Sequence, residues 1–184
     1  MRIIVGISGA SGVIYGIRTI EVLRELNVET HLIVTGSAVK IARAECDLDR
    51  EDITKMADKC YDVEDLTAPI SSGSFLHDGM VIIPCSMKTL SGIATGYADN
   101  LLLRAADVCL KERRKLILVP RETPLNMIHI RNMLTLAEAG AIILPAMPAF
   151  YGRPKSVDEL INYVVGRVLD QLGISHSLYR RWKA

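Results

Sequence analysis

Residues 3–12 read Ile3-Ile4-Val5-Gly6-Ile7-Ser8-Gly9-Ala10-Ser11-Gly12, an apolar run that breaks into small residues. Behind it Ile14, Ile17, Ile20 or Leu23, and Leu26 recur at three- and four-residue steps, the spacing of one buried helix face. Strand, small-residue loop and helix in that order open a parallel α/β unit and turn backbone N–H groups and a helix N-terminus toward one point. Such a loop either cradles an anion or is a tight strand-to-helix turn in which Ser11 serves as a helix cap. No Lys follows as in G-x-x-x-x-G-K-[ST], and G-x-G-x-x-G is matched only loosely. About 20 residues on, where a dinucleotide fold sets an acidic residue against a ribose, stand His31, Thr35 and Ser37. A mononucleotide therefore suits the loop better than a dinucleotide.

The same pattern repeats along the chain. Short apolar runs at 30–34 (THLIV), 80–84 (MVIIP), 115–119 (KLILV) and 141–144 (AIIL) read as further strands, several of them nearly continuous in apolarity, as in parallel strands covered on both faces. Helical periodicity fills 100–114 and 126–139, and Ser156 with Asp158 and Glu159 behind it reads as a cap and acidic first turn. The fold expected is α/β: an open, mostly parallel sheet with helices on both faces, a three-layer Rossmann- or flavodoxin-like sandwich in one domain over 1–184. Residues 47–73 fit least well; they are acidic, and 67–74 reads as a loop that could act as a lid.

Bulk composition narrows the function classes. The 184 residues are 49% hydrophobic and 23% charged, enough for a full core. With 22 basic against 21 acidic residues the net charge is +1, so no global field draws nucleic acid or an acidic membrane, and any anion site must be local. The start is not a signal-peptide core, and no apolar run approaches the roughly 20 residues of a bilayer span; a soluble, cytoplasmic protein is expected. Cys46, Cys60, Cys85 and Cys109 form no C-x-x-C pair, and His31, His77, His129 and His176 show no ligand spacing, so reduced thiols and no metal are expected.

In such folds ligands lie beyond the carboxyl ends of the strands, and the loops there carry chemistry. The segment 84–92, Pro-Cys-Ser-Met-Lys-Thr-Leu-Ser-Gly, again follows a strand and opens a helix, with hydroxyls and Lys88 suited to a phosphate, or to an ordinary capped helix with a surface Lys. Arg104 and Lys111, seven residues apart, share a helix face flanked by Leu and Ala, an odd place for two cations unless an anion lies between them. Arg121 and Glu122, bracketed by Pro120 and Pro124, stand either in the ligand crevice or in a structural ion pair. Residues 145–154 offer an apolar and aromatic wall containing Tyr151, the last helix carries Arg167, and Trp182 is either a docking anchor or part of a loose terminus.

These stretches together resemble the UbiX-like flavin prenyltransferases, a branch of the FMN-binding flavoproteins that also includes phosphopantothenoylcysteine decarboxylases. The resemblance runs from Ile3 to Trp182 and is most specific in GISGASGVIYG (6–16), PCSMKTLSGIATG (84–96), DNLLLRAADVCLKERRKLILVPRETPL (99–125) and LPAMPAFYGRP (144–154). It implies transfer of a dimethylallyl group from dimethylallyl phosphate to N5 of reduced FMN, the acceptor substrate, with a second bond to C6. The product is the prenylated flavin of UbiD-like decarboxylases, and no metal takes part. By the same resemblance Gly9, Ala10, Ser11, Ser37, Ser86, Met87, Lys88, Thr89 and Arg121 contact FMN. Tyr151, Arg167, Arg104, Lys111 and Glu122 surround the prenyl phosphate, some across a subunit interface. Ser11, Glu45, Glu122 and Lys111 carry the catalytic work. A homo-oligomer, a dodecamer built of trimers, is also implied, with the tail from about 174 to 184 packing on a neighbouring subunit. Two alternatives share the loops: a cysteine-peptide decarboxylase of the same superfamily, which would use an early active-site His where this chain has only His31, and a non-catalytic FMN-binding subunit.

Overall fold

The computed structural model describes residues 1–183. Six strands form its sheet: β1 (Arg2–Ile7), β2 (Glu29–Val34), β3 (Lys59–Tyr61), β4 (Gly79–Cys85), β5 (Leu116–Pro120) and β6 (Ile142–Ile143). Every neighbouring pair is parallel, in the order β3-β2-β1-β4-β5-β6. That order reverses between β1 and β4, so the chain winds outward from the centre in both directions and leaves a crevice at the carboxyl ends of these two strands. The open α/β sandwich read from the sequence is the architecture observed.

Parallel strands need crossovers, and the helices supply them: α1 (Val13–Glu25), α2 (Gly36–Cys46), α3 (Arg50–Thr54), α4 (Met87–Ala94), α5 (Leu101–Lys111), α6 (Met127–Glu138) and α7 (Val157–Leu172). Side chains alternate across the sheet and so build two cores. Ile3, Val5, Ile7, Leu32, Val34, Val81 and Ile83 pack with α1, α2 and α7 on one face. Ile4, Ile33, Met80, Ile82, Leu116 and Leu118 pack with α4, α5 and α6 on the other. Strands covered on both faces read as unbroken apolar runs, which is why β1, β2, β4 and β5 stand out in the sequence.

Differences from the sequence reading are local. Strand β6 is two residues long rather than four, and β3, α2 and α3 carry too little apolar pattern to be read. The segment 67–74 is no lid: Ala68 and Ile70 are buried in the second core, and Arg104 Nε and Arg114 Nη1 donate to the carbonyls of Ser71 at 3.0 Å and Phe75 at 2.7 Å. Helix α6 buries Leu136 and turns Met127, Ile128, Ile130 and Leu134 outward.

Helix α1 comes close to the sheet at Gly16, where an added Cβ would lie 2.5 Å from the Ile83 carbonyl oxygen and 2.9 Å from Ile7. Alanine is the better helix former by about 1 kcal/mol, yet overpacking at such a contact costs about 1–3 kcal/mol. Gly16→Ala is therefore expected to lower the urea midpoint; a midpoint at or above that of the parent chain would show that the contact is not tight.

Candidate active site

The two loops at the crevice are joined by one buried hydroxyl. Ser8 is fully buried; its Oγ donates to the Pro84 carbonyl at 2.9 Å and accepts the Ser86 N–H at 2.8 Å, while its own N–H reaches Pro84 O at 3.2 Å. This fixes the start of α4 against the turn into α1. Beside it an added Cβ on Gly9 would lie 2.3 Å from Ser37 Oγ, so Gly9 lets the first loop lie directly on the start of α2.

Helix N-termini then converge. Thr35 caps α2 by accepting the Ala38 N–H at 3.2 Å, Ser86 caps α4 by accepting the Thr89 N–H at 3.2 Å, and Asn100 caps α5 by accepting the Leu103 N–H at 3.0 Å. Ser37, Ser86, Lys88, Thr89 and Asn100 from these three starts line one cavity of about 580 Å³ together with Gly9 of the first loop and with Glu64, Tyr97 and Asp99. Lys88 makes no ion pair among the described residues. Three helix N-termini and an uncommitted Lys are features that suit an anion, set against the carboxylates of Glu64 and Asp99 in the same lining. Of the expected FMN contacts, Met87 instead lies partly buried against the second core, and Ala10 is buried.

Ser11 does not cap α1. The N-cap is Gly12, held at φ +90° with no side-chain cap. Its place is taken from 33 residues away: Glu45 Oε2 accepts the N–H of Gly12 at 2.8 Å and of Val13 at 3.3 Å. The Ser11 side chain is left exposed, and Arg121 Nε donates to the Ser11 carbonyl at 3.1 Å. Ser11, Glu45 and Arg121 thus meet at one loop. Burial pushes the Tyr15 phenol up in pKa, partly offset by Arg121 close by. Glu122 makes no ion pair with Arg121; its Oε1 accepts the Thr123 N–H at 3.1 Å. Cys85, at the end of β4, has its thiol pushed up by burial, and Cys109 is pushed up to about 12, so neither is a thiolate at neutral pH.

The remaining expected residues stand apart from this cavity within one chain. Arg104 pairs with Asp107 at 2.7 Å and Lys111 with Glu112, so each cation on α5 has its own carboxylate rather than an anion between them. Helix α5 starts at the cavity and runs away from it, which carries Lys111 about 15 Å along the axis. Tyr151 lies at a second, aromatic hollow of about 310 Å³ lined also by Tyr163, Tyr179, Arg180 and Glu159, and Arg167 reaches it through Tyr179, whose Oη accepts from Arg167 Nη1 at 3.4 Å. There the tail folds back on α7 of its own chain: Asp170 accepts from Tyr179 Oη at 2.5 Å, Arg181 Nη2 at 2.7 Å and His176 Nε2 at 3.1 Å. Residue 184 lies outside the described residues. The hydrogen-bonding of Asp170 escapes sequence reading, because its partners are six to eleven residues downstream with no periodicity to link them.

Burial alone would raise the Asp170 carboxyl, but the bonds from Arg181, Tyr179 and His176 outweigh it and hold the group at about 2 against an ordinary 3.8. A depressed folded pKa gives stability that is complete above the unfolded value and is lost as pH falls through the folded one. The stability gap between the parent chain and Asp170→Asn should therefore be constant above about pH 4 and close as pH falls toward 2. Urea titrations at stepped pH read this directly; a gap unchanged at the acid end would contradict it.

The Flavoprotein family profile matches residues 1–169. Flavin prenyltransferase UbiX of Methanocaldococcus jannaschii is 54% identical over 182 residues, 99% of this chain and 98% of its own. The mitochondrial flavin prenyltransferase PAD1 of Saccharomyces cerevisiae is 52% identical over 99% of this chain and 75% of its own. Among solved structures, AnUbiX in complex with FMN and dimethylallyl pyrophosphate superposes with a TM-score of 0.98 at 47% identity, over 100% of this chain and 97% of that one. A dodecameric FMN-dependent UbiX-like decarboxylase from Escherichia coli O157:H7 superposes at 0.97 with 51% identity over the whole of both. The peptidyl-cysteine decarboxylase EpiD, at 20% identity and 0.67, shares the fold alone. A doubly wound sheet with this cavity at its switch point, and about half of all residues shared over nearly the whole of this chain with such relatives, leave one conclusion: the chain belongs to the Flavoprotein family and, within it, to the UbiX-like flavin prenyltransferases.

Proposed function

We propose that the chain transfers a dimethylallyl group from dimethylallyl phosphate to reduced FMN, giving the prenylated flavin used by UbiD-like decarboxylases. The observation that carries the reading is the cavity where Ser37, Ser86, Lys88 and Thr89 gather at helix starts. Its size and its N–H and hydroxyl donors fit a mononucleotide phosphate, with Gly9 and the backbone at Ala10 and Met87 along the rest of FMN and Arg121 against it. Reduced FMN supplies N5 and C6 as the bond-forming atoms, while the allylic C–O bond of the donor breaks and phosphate departs.

The protein's part is electrostatic. Lys111, Arg104 and Arg167, with the Tyr151 phenol, preorganise donors for the charge that grows on the leaving phosphate. Aromatic side chains around Tyr151 keep the allylic centre dry and face its developing positive charge with ring electrons. Ser11 and Glu45 sit together at the α1 start and would hold or move a proton near N5; Glu122 would orient the phosphate and take up the proton released on ring closure. Arg104 and Lys111 lie away from the cavity of their own chain, which supports a site completed by neighbouring copies. The outward Met127, Ile128, Ile130 and Leu134 of α6 give such copies an apolar face to meet on, and the Escherichia coli relative is dodecameric. In that assembly the chain acts as one domain, with its tail also against a neighbour. No helix among the described residues is long and apolar enough to cross a membrane; we assign the chain to the cytoplasm.

Anaerobic incubation with reduced FMN and dimethylallyl phosphate, followed by mass measurement of the released flavin, should show a gain of one dimethylallyl unit. Unchanged FMN despite demonstrated binding of both ligands would sink the reading. Lys111→Ala should lower turnover by at least about 100-fold with FMN still bound; loss of FMN along with activity would contradict the role given to Lys111.

A further inference from the structure

A single carboxylate organises the region around Arg167. Asp170 has 16% of its side chain exposed, and both oxygens are in use. Its Oδ1 accepts from His176 Nε2 at 3.1 Å and Arg181 Nη2 at 2.7 Å; its Oδ2 accepts the Tyr179 hydroxyl at 2.5 Å and lies 3.6 Å from Arg167 Nη1. Arg167 Nη1 also donates to Tyr179 Oη at 3.4 Å. The tail is pressed hard against α7 here: a Cβ added at Gly166 would lie 2.5 Å from the Tyr179 ring and 2.8 Å from the His176 ring. From Tyr179 the contact continues through rings, 4.9 Å to Tyr163, then 6.0 Å from Tyr163 to Tyr151.

We infer that Asp170 is a positioning residue for the donor phosphate, acting through Tyr179 to fix the Arg167 guanidinium and, through the tyrosine stack, the Tyr151 phenol. The inference rests on the reading above that Arg167 and Tyr151 face that phosphate. Asp170 does not itself take the phosphate, since both of its oxygens already accept hydrogen bonds within the chain. What it does is take up Nη1 of Arg167 while the other guanidinium nitrogens make no hydrogen bond among the described residues. A guanidinium anchored at one nitrogen keeps a fork of donors in a fixed plane, the geometry a phosphate oxygen pair requires. The negative charges of Asp170 and of Glu159, which lines the hollow, are outnumbered by Arg167, Arg180 and Arg181, so the region stays attractive to an anion.

The test uses the full chain loaded with FMN. Binding of dimethylallyl phosphate is measured by calorimetry, and KM and kcat anaerobically with reduced FMN, for Asp170→Asn, Asp170→Glu and Tyr179→Phe. Asp170→Asn should raise KM and Kd for dimethylallyl phosphate by about 10- to 100-fold, with FMN affinity within about twofold of the parent. Tyr179→Phe should shift them in the same direction by less, and Asp170→Glu should recover part of the loss. Donor KM and Kd unchanged in both Asp170→Asn and Tyr179→Phe would overturn the inference. So would a parallel loss of FMN affinity, kcat and donor affinity, which is what a merely structural role produces. If Asp170→Asn does not fold, Tyr179→Phe decides alone. A parent chain that binds dimethylallyl phosphate but does not transfer its prenyl group overturns the function proposed above, while the Kd comparison still decides the role of Asp170.

Discussion

The Ser8 hydroxyl, with no exposure to solvent, holds together two loops that are 76 residues apart in the chain. It is donor to the strand end at Pro84 and acceptor for the first N–H of the next loop at Ser86. Without its oxygen the Ser86 amide would lose its partner, a loss of about 1 kcal/mol, and the bond that ties the start of α4 to the turn into α1 would be gone. Strand order opens a gap at the switch point, and the serine braces its two sides.

Any attraction for an anion in that gap owes little to the chain as a whole, whose formal charge is +1. Its local sources are the starts of α2, α4 and α5, each closed by its own Thr, Ser or Asn cap and each lining the cavity, with Lys88 adding one charge beside Glu64 and Asp99. Fixed dipoles of this kind need no reorganisation when an anion arrives. The cations on α5 and α7 are of a different sort, since Arg104, Lys111 and Arg167 are each held by an acidic neighbour. Their charge is delivered in a set direction rather than spread into solvent.

Legibility followed the range of the interactions involved. Strands β1, β2, β4 and β5 could be read because burial on both faces writes itself as uninterrupted Ile, Val and Leu. Strand β3 could not: Lys59 and Cys60 are exposed and its place is set by pairing with β2. Helix α2 shows only Ala38 and Ala42 to the core, too few apolar positions to establish a period. The same rule holds at the site. Ser86 as a local cap is visible three residues from its partner, and the two small-residue loops announce themselves. Ser11 misleads for the opposite reason, because the true acceptor at the α1 start is Glu45 on another helix. Asp107 and Glu112 sit in plain view beside Arg104 and Lys111, yet a face read as apolar hid that each cation already had a partner.

The sheet also tapers. Its central strands run six and seven residues, while the two outermost run three and two. A strand of two residues offers an incoming chain almost no ladder to extend, and the exposed Lys59 guards the other margin. Lateral growth of the sheet is thereby cut off at both borders, so copies of this chain that come together must do so through side chains on helices and loops, where shape and charge can discriminate, and not through backbone pairing, which accepts almost any strand.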